Sequence, residues 1–359
     1  MVSQAEEVSW AGVQGALRGG PPVVPAASAR AALARDAAAR ALTPAAVLTT
    51  SGSTGAGKHV LLTREALLAS AEATQAVLGR ATWTCALPSG YVAGFMTLVR
   101  AYVAGTAPLR VDADLAQLAP AQGANAISLV ATQLHRALRR PDVARALAAY
   151  DWILLGGSAI RPDLLDEAAA HGLRVVTTYG MTETCGGCVY DGVPLPGVRV
   201  SVVDANIRIA GDHLFSGYLG DRQASERALT GGWFHTSDRG RWAGGRLEVL
   251  GRADSVVISG GVNVDLDEAQ RHLDRLGEAA VLTGVPDPEW GTRIVLVTEA
   301  AHPLEWWRAR LAGDLASAAL PKEVRRVAKL PVTERGKLDR VKLGRLVEET
   351  NRGDAGAVG

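Results

Sequence analysis

The first periodic pattern in the chain is alanine-rich. Residues 26–42 (AASARAALARDAAARAL) predict one helix that ends before Pro44. The short apolar run at 45–49 predicts a strand, and His59-Val60-Leu61-Leu62 predicts a second. Thr63 has the chemistry of a helix N-cap, with Ala66, Leu67 and Leu68 following at helical spacing. The segment between the two strands, Thr50-Ser51-Gly52-Ser53-Thr54-Gly55-Ala56-Gly57-Lys58, is therefore expected to link strand to strand, with the helix starting later.

From there the pattern alternates. Strands are expected near 81–87, 126–130, 152–155 and 173–177, and helices near 94–103, 132–139 and 162–171. Such alternation predicts a largely parallel sheet covered on both faces. Beyond residue 190, short β-like runs at 198–203, 207–209 and 247–250 are separated by Gly and Asp, which favours antiparallel pairing. Residues 251–262 (GRADSVVISGGV) form a junction. A helix at 265–276, strands at 279–283 and 293–298, a helix at 304–311 and a basic segment through Lys337 complete a second unit.

The expected fold is thus α/β. It has a large N-terminal domain over 1–252, with mainly parallel sheets flanked by helices and a small antiparallel β part. A small α+β C-terminal domain covers 253–350, which the family resemblance given below implies is mobile, and a disordered tail covers 351–359.

Composition narrows the partners. Lys plus Arg is 38 against 37 Asp plus Glu, so nothing marks nucleic acid or an anionic membrane as the main partner. No run is long and apolar enough to span a bilayer, and the start of the chain lacks a basic-then-apolar leader pattern. Cysteine is scarce, at three residues, which fits a reducing compartment rather than a disulfide framework. The expectation is a soluble, cytoplasmic protein acting on small molecules.

The glycine loop favours phosphate. Thr50, Ser51, Ser53 and Thr54 supply hydroxyls, the glycines let backbone N–H groups converge on an anion, and Lys58 adds charge. Gly52 to Lys58 also fits the first part of the Walker pattern G-x-x-x-x-G-K. That pattern next requires Ser or Thr, whereas this chain has His59, and it feeds directly into a helix. A P-loop NTPase is therefore the weaker alternative, and a plain polar turn is the other.

Thr50 to Gly55 followed by Lys58 resembles the phosphate loop of the adenylate-forming superfamily: acyl-CoA synthetases, luciferases and peptide-synthetase adenylation domains. Further motifs follow in that superfamily's order. Gly156-Gly157-Ser158 is similar to the turn beside the adenine. Thr178-Tyr179-Gly180-Met181-Thr182-Glu183-Thr184 resembles the aromatic–Gly–x–Thr–Glu motif, and His235-Thr236-Ser237-Asp238 the segment that holds the ribose. Gly251-Arg252-Ala253-Asp254 with Gly260-Gly261 resembles the interdomain hinge, and Gly336-Lys337 the motif of the catalytic lysine. Residues 179–192 (YGMTETCGGCVYDG) and 87–105 (LPSGYVAGFMTLVRAYVAG) look like the o-succinylbenzoate–CoA ligase subfamily of menaquinone biosynthesis, in its short actinobacterial form. Two departures bear on fit. The usual Pro-Lys-Gly of the loop is Gly57-Lys58-His59, and Tyr91 stands where many relatives carry His.

The resemblance implies an ATP-dependent, AMP-forming acid–thiol ligase that uses Mg2+ and takes CoA as co-substrate. Lys337, Glu183 and Thr182 would be catalytic, with Glu183 also the metal ligand. Thr50, Ser51, Gly52, Ser53, Thr54, Gly55, Lys58, Gly156, Gly157, Ser158, Thr178, Tyr179, Gly180, Met181, Asp238 and Arg252 would bind nucleotide. Tyr91, Arg100 and Gly186 would line the acyl site, Asp254 would be the hinge, and Gly260 and Gly261 the CoA channel.

Each role has a plainer structural counterpart. Lys337 could be a solvated surface lysine, Tyr179 a core aromatic, Asp238 and Arg252 a salt bridge, and the Gly260-Gly261 pair a turn.

Arg100 lies on an otherwise apolar stretch, 95–103, where a lone guanidinium is unfavourable unless paired. It would suit the second carboxylate of an aromatic diacid such as o-succinylbenzoate. A structural pair with an Asp or Glu is the equal alternative. Cys185 and Cys188 form a C-x-x-C without the second pair that a zinc site needs, and read as small residues lining an acyl pocket. A ligase for another aryl or acyl acid, a relative that loads a carrier protein, and a homodimer all remain compatible with the sequence.

Overall fold

A computed structural model describes residues 6–50, 57–333, 338–340 and 342–347. Contacts divide the chain into two compact units. One comprises residues 1–236 and 242–248, and the other residues 237–241 and 249–359.

In the first unit, strands β1 (Pro44–Thr49) and β2 (His59–Thr63) pair antiparallel, and β12 (Gly217–Tyr218) adds to β2 to make a three-stranded sheet. The expected single N-terminal helix is two helices, α2 (Ala27–Arg35) and α3 (Ala37–Ala41). Asp36 breaks the run because its side chain accepts a hydrogen bond from the Ala39 amide, capping α3 and ending α2. A further helix, α1 (Trp10–Leu17), precedes them. Thr63 caps α4 (Arg64–Leu78) as its chemistry predicts, with Oγ1 accepting from Ala66 N at 3.2 Å.

The main sheet has seven strands in the order β4-β3-β5-β6-β7-β8-β9. These are β3 (Thr82–Cys85), β4 (Leu109–Arg110), β5 (Asn125–Val130), β6 (Trp152–Gly156), β7 (Val175–Met181), β8 (Gly186–Tyr190) and β9 (Val193–Pro194). Strands β3 to β7 pair in parallel, and β8 and β9 run antiparallel at the edge. Alternate residues feed two cores. Ile127, Leu129, Ile153 and Leu155 pack against α6 (Ala131–Leu138), α7 (Pro141–Leu147) and α8 (Pro162–Ala170). Ala126, Leu154 and Val176 join Trp83 and Tyr190 in the other core. Helix α5 (Val92–Ala104) buries Phe95, Met96, Leu98 and Val99 almost completely. Each such side chain stabilises the fold by about 1.5–3 kcal/mol.

The antiparallel part expected after residue 190 is present. Strands β10 (Arg199–Val203) and β11 (Asn206–Ala210) form a hairpin, joined by β13 (Leu229–Thr230), β14 (Trp233–Ala243) and β15 (Arg246–Arg252) in one five-stranded sheet. Helix α9 (Arg222–Ala228) lies between β12 and β13 in sequence.

The second unit is α+β. Strands β16 (Val256–Ser259), β17 (Val262–Asp265), β18 (Ala280–Asp287), β19 (Gly291–Thr298) and β20 (Glu323–Arg326) form one sheet, with β20 parallel to β19. Helices α10 (Leu266–Asp274) and α11 (Leu304–Leu311) pack Leu273, Trp307 and Leu311 into its core. Among the described residues no helix is long and apolar enough to cross a membrane.

Candidate nucleotide and acyl-acid site

The glycine loop is clasped at its base. Thr50 N donates to the Lys58 carbonyl at 2.8 Å, and Lys58 N donates to Thr50 Oγ1 at 3.1 Å. Gly57 permits this closure, since a Cβ there would lie 2.2 Å from the Thr50 carbonyl oxygen. Ser51, Gly52, Ser53, Thr54 and Gly55 lie outside the described residues. The loop joins antiparallel strands β1 and β2, and the helix begins only at Arg64. A Walker loop passes straight into a helix N-terminus, so this topology overturns the P-loop alternative.

The second element is the end of β7. Thr178, Tyr179, Gly180 and Met181 form its last four residues, and Thr182, Glu183 and Thr184 make one 3-10 turn. Parallel β6 ends beside it in Gly156, with Gly157 and Ser158 following, so both motifs lie at the carboxyl ends of neighbouring strands. Ligands of open α/β sheets bind at such ends. The close approach explains the glycines. A Cβ on Gly156 would lie 2.3 Å from Thr178 Oγ1, and one on Gly180 would lie 2.0 Å from the Gly186 carbonyl oxygen. Tyr179 is half-buried and packs against the Ile207 and Ile209 core.

Thr184, which motif reasoning passed over, holds the turn. It is fully buried, its Oγ1 accepts from Met181 N at 2.9 Å, and its hydroxyl lies 2.7 Å from the Gly186 carbonyl oxygen as donor. Cys185 beyond it is left-handed, at φ 49°.

Glu183 and Thr182 are both buried. The Tyr218 hydroxyl donates to Glu183 Oε1 at 3.0 Å, and the Lys58 ammonium lies 4.5 Å from the centroid of the Tyr218 ring. The loop lysine and the motif glutamate are thus brought to one place through a tyrosine that sequence reasoning left unassigned. Its only signal was a Gly-Tyr pair in a stretch without clear periodicity. Burial, and then the neighbouring Glu183 charge, push the Tyr218 phenol well above its ordinary range, so it stays a donor.

Arg100 is 5% exposed on α5. It stacks 5.2 Å from the Trp83 ring, its Nε is buried without a hydrogen-bond partner, and no ion pair is found for it among the described residues. Gly186, at φ 88°, faces it: a Cβ there would lie 3.4 Å from Met96 Cγ and 3.7 Å from Arg100 Nη2. Two of the three acyl-site residues therefore meet. Tyr91, at the N-cap of α5, stands nine residues earlier, roughly 13 Å along the helix axis. Cys185 and Cys188 correct an expectation. Both are fully buried free thiols, Cys185 in the core of Phe95 and Met96 and Cys188 in that of Ile207 and Ile209, so they fill cores rather than line a pocket.

In the second unit Arg252 pairs bidentately with Asp254 at 2.8 and 2.9 Å, and more loosely with Asp238 at 3.6 Å. Asp254 sits in the 3-10 turn that follows β15. Gly260 and Gly261, at φ 58° and 78°, are the central residues of the tight β16–β17 hairpin, where both positions need left-handed backbone. Lys337 lies outside the described residues.

The topology and motif geometry define an adenylate-forming enzyme, and the family comparison agrees. The profile of the AMP-binding enzyme family matches residues 5–219, and the chain belongs to that family. Its similarity runs further to particular members. It is 41% identical over 323 residues to a probable 2-succinylbenzoate–CoA ligase of Mycobacterium tuberculosis, covering 84% of each chain. It is 31% identical over 329 residues to the 2-succinylbenzoate–CoA ligase of Enterococcus faecalis, covering 82% of this chain and 68% of that one. Among solved structures, a variant of Escherichia coli MenE with bound OSB-AMS matches with TM-score 0.73 at 28% identity, over 85% of this chain and 69% of that one. The o-succinylbenzoate CoA synthetase of Bacillus subtilis in complex with the acyl-adenylate intermediate OSB-AMP gives TM-score 0.73 at 26% identity, over 83% and 68%.

Proposed function

We propose that this protein is an o-succinylbenzoate–CoA ligase of menaquinone biosynthesis, joining o-succinylbenzoate to CoA with conversion of ATP to AMP and pyrophosphate. The observation that carries the substrate assignment is Arg100. A buried guanidinium with an unpartnered Nε, next to a glycine that leaves room beside it, suits an acid with a second carboxylate. Its surroundings, Trp83 and Met96, suit an aromatic ring.

In the first half-reaction the substrate carboxylate oxygen attacks the α-phosphorus of ATP, the new P–O bond forms in line, and pyrophosphate leaves. Both reactants are anions, so the protein's contribution is positioning and charge neutralisation. By its residue types the loop would bring amides, hydroxyls and Lys58 to the phosphate chain. Lys337, by its motif, would neutralise the carboxylate and α-phosphate oxygens. Tyr179 would stack on adenine, and Asp238 with Arg252 would hold the ribose.

The donor set fits Mg2+, a hard cation that takes one or two carboxylates together with substrate phosphates. Glu183 supplies such a carboxylate, and the described residues contain no cluster of three or more His, Cys, Asp or Glu that would hold a metal unaided. Bound there, the ion would offset phosphate charge. In the second half-reaction the CoA thiolate attacks the acyl carbonyl carbon and AMP departs. Rotation of the smaller unit about Asp254 would exchange the two half-reactions, and Gly260-Gly261 would flank the thiol's path.

A cytoplasmic location and a homodimer complete the proposal. Three buried free thiols support the former, and light scattering tests the latter.

The deciding experiment offers a panel of aryl and acyl acids with ATP and CoA and reads the thioesters by mass spectrometry. o-Succinylbenzoyl-CoA should dominate. A preference for a monocarboxylic acid would replace the substrate assignment and leave the ligase chemistry standing.

A further inference from the structure

We infer that Tyr218 is a positioning residue of the phosphate site, with its ring orienting Lys58 and its hydroxyl orienting the carboxylate of Glu183. This rests on the nucleotide-binding reading given above.

Lys58 and Glu183 come from elements far apart in sequence, the base of the glycine loop and the 3-10 turn after β7. The Tyr218 side chain touches both. Its hydroxyl is 3.0 Å from Glu183 Oε1, and its ring centroid is 4.5 Å from Lys58 Nζ.

The tyrosine is itself held on several sides. Strand β12 is hydrogen-bonded into the sheet that carries the loop, with Tyr218 opposite Val60 and Gly217 opposite Leu61. Tyr218 N donates to Ser225 Oγ at 2.8 Å, and the Phe215 ring packs at 4.9 Å with a tilt of 53°. Phe215 N in turn donates to the Glu183 backbone carbonyl at 2.9 Å. The residue is 8% exposed, so its geometry is set by packing rather than by solvent.

A buried carboxylate is unfavourable without hydrogen-bond donors, and the Tyr218 phenol supplies one to Glu183. The cation–π contact holds the lysine ammonium without neutralising it, since the ring offers only its quadrupole. The contact thus fixes where the Lys58 ammonium stands while leaving it available to a phosphate. One aromatic residue thereby sets both the cation that would meet the phosphates and the anion that would meet the metal.

The two contacts separate by substitution. Tyr218→Phe keeps the ring and loses the hydroxyl, and Tyr218→Leu loses both. The measurement is equilibrium binding of α,β-methylene-ATP by calorimetry, once with Mg2+ and once with EDTA, alongside the thermal midpoint of each variant. Tyr218→Phe should weaken binding about 10-fold with Mg2+ and leave the metal-free affinity within about twofold. Tyr218→Leu should weaken both.

Three results would overturn the inference. Tyr218→Phe could bind like the wild type in both conditions, or it could lose affinity equally in both, which is the pattern of a merely structural residue. Wild-type protein that binds no nucleotide at all would remove the nucleotide site itself, and is told apart because it appears before any variant is made.

Discussion

The α-carbon of Gly180 faces the carbonyl oxygen of Gly186 so closely that a Cβ would stand 2.0 Å from it. Both atoms belong to backbone of the paired strands β7 and β8, so neither can swing aside. Gly180→Ala should therefore shift the turn that presents Thr182 and Glu183. We expect a stability loss of about 2–4 kcal/mol and loss of acid-dependent pyrophosphate exchange. Urea unfolding and the exchange assay check both, and an alanine variant with wild-type behaviour would contradict this account of the turn.

Arg100→Ala should raise KM for o-succinylbenzoate with little change in KM for ATP, because the guanidinium lies beside Gly186 and Met96 rather than in the loop. A charge-assisted pair of this kind is worth about 1.5–3 kcal/mol, or roughly 10- to 100-fold in kcat/KM. Steady-state kinetics with each substrate varied separately gives the answer. An unchanged KM for the acid would remove Arg100 from recognition.

Lys337→Ala should separate the half-reactions. Without that cation, adenylation should slow by about 100- to 1000-fold, the range seen when a single preorganised electrostatic donor is removed. Transfer of a pre-formed acyl-adenylate to CoA should proceed at a rate much closer to wild type. Single-turnover assays of each step distinguish this from a general loss of fold.

His213 gives a pH dependence of stability. It is 3% exposed, its Nε2 has no hydrogen-bond partner among the described residues, and burial lowers its pKa from 6.5 to about 4. Between those values the unfolded chain takes up a proton that the folded imidazole does not. Stability is therefore full above about pH 6.5 and falls as the pH drops towards 4, by roughly 3 kcal/mol in total. Urea midpoints across that range should show a steeper acid loss for wild type than for His213→Gln. Parallel curves would refute it.

Much of this architecture was legible in the residues. Alternation of apolar runs foretold the parallel sheet because strands buried on both faces leave few positions for polar side chains. Thr63 announced α4 because its hydroxyl can satisfy a free amide. The helix break at Asp36 was not read, since alanine-rich propensity ran across it and only the cap geometry revealed the division. In the site, Glu183 stood out through the motif shared with the adenylate-forming superfamily, and Arg100 through its chemistry, a charge on an apolar face.

Tyr218 and Thr184 did not stand out. An aromatic or a hydroxyl gains its role from what the fold places opposite it, and Tyr218 is 35 residues from the carboxylate it touches. The cysteines of the C-x-x-C were expected to line an acyl pocket as small residues, while the backbone directs the two thiols into separate cores.

The unanswered Nε of Arg100 also makes the ligand a structural component. A protein that holds a guanidinium away from water with no counter-anion among the described residues is more stable once a suitable acid arrives, so occupancy should raise the melting temperature in a dose-dependent way. Monoacids of the same ring size would leave that charge unanswered and confer less protection. Discrimination between them would then rest on an omission inside the empty enzyme as much as on any contact it makes.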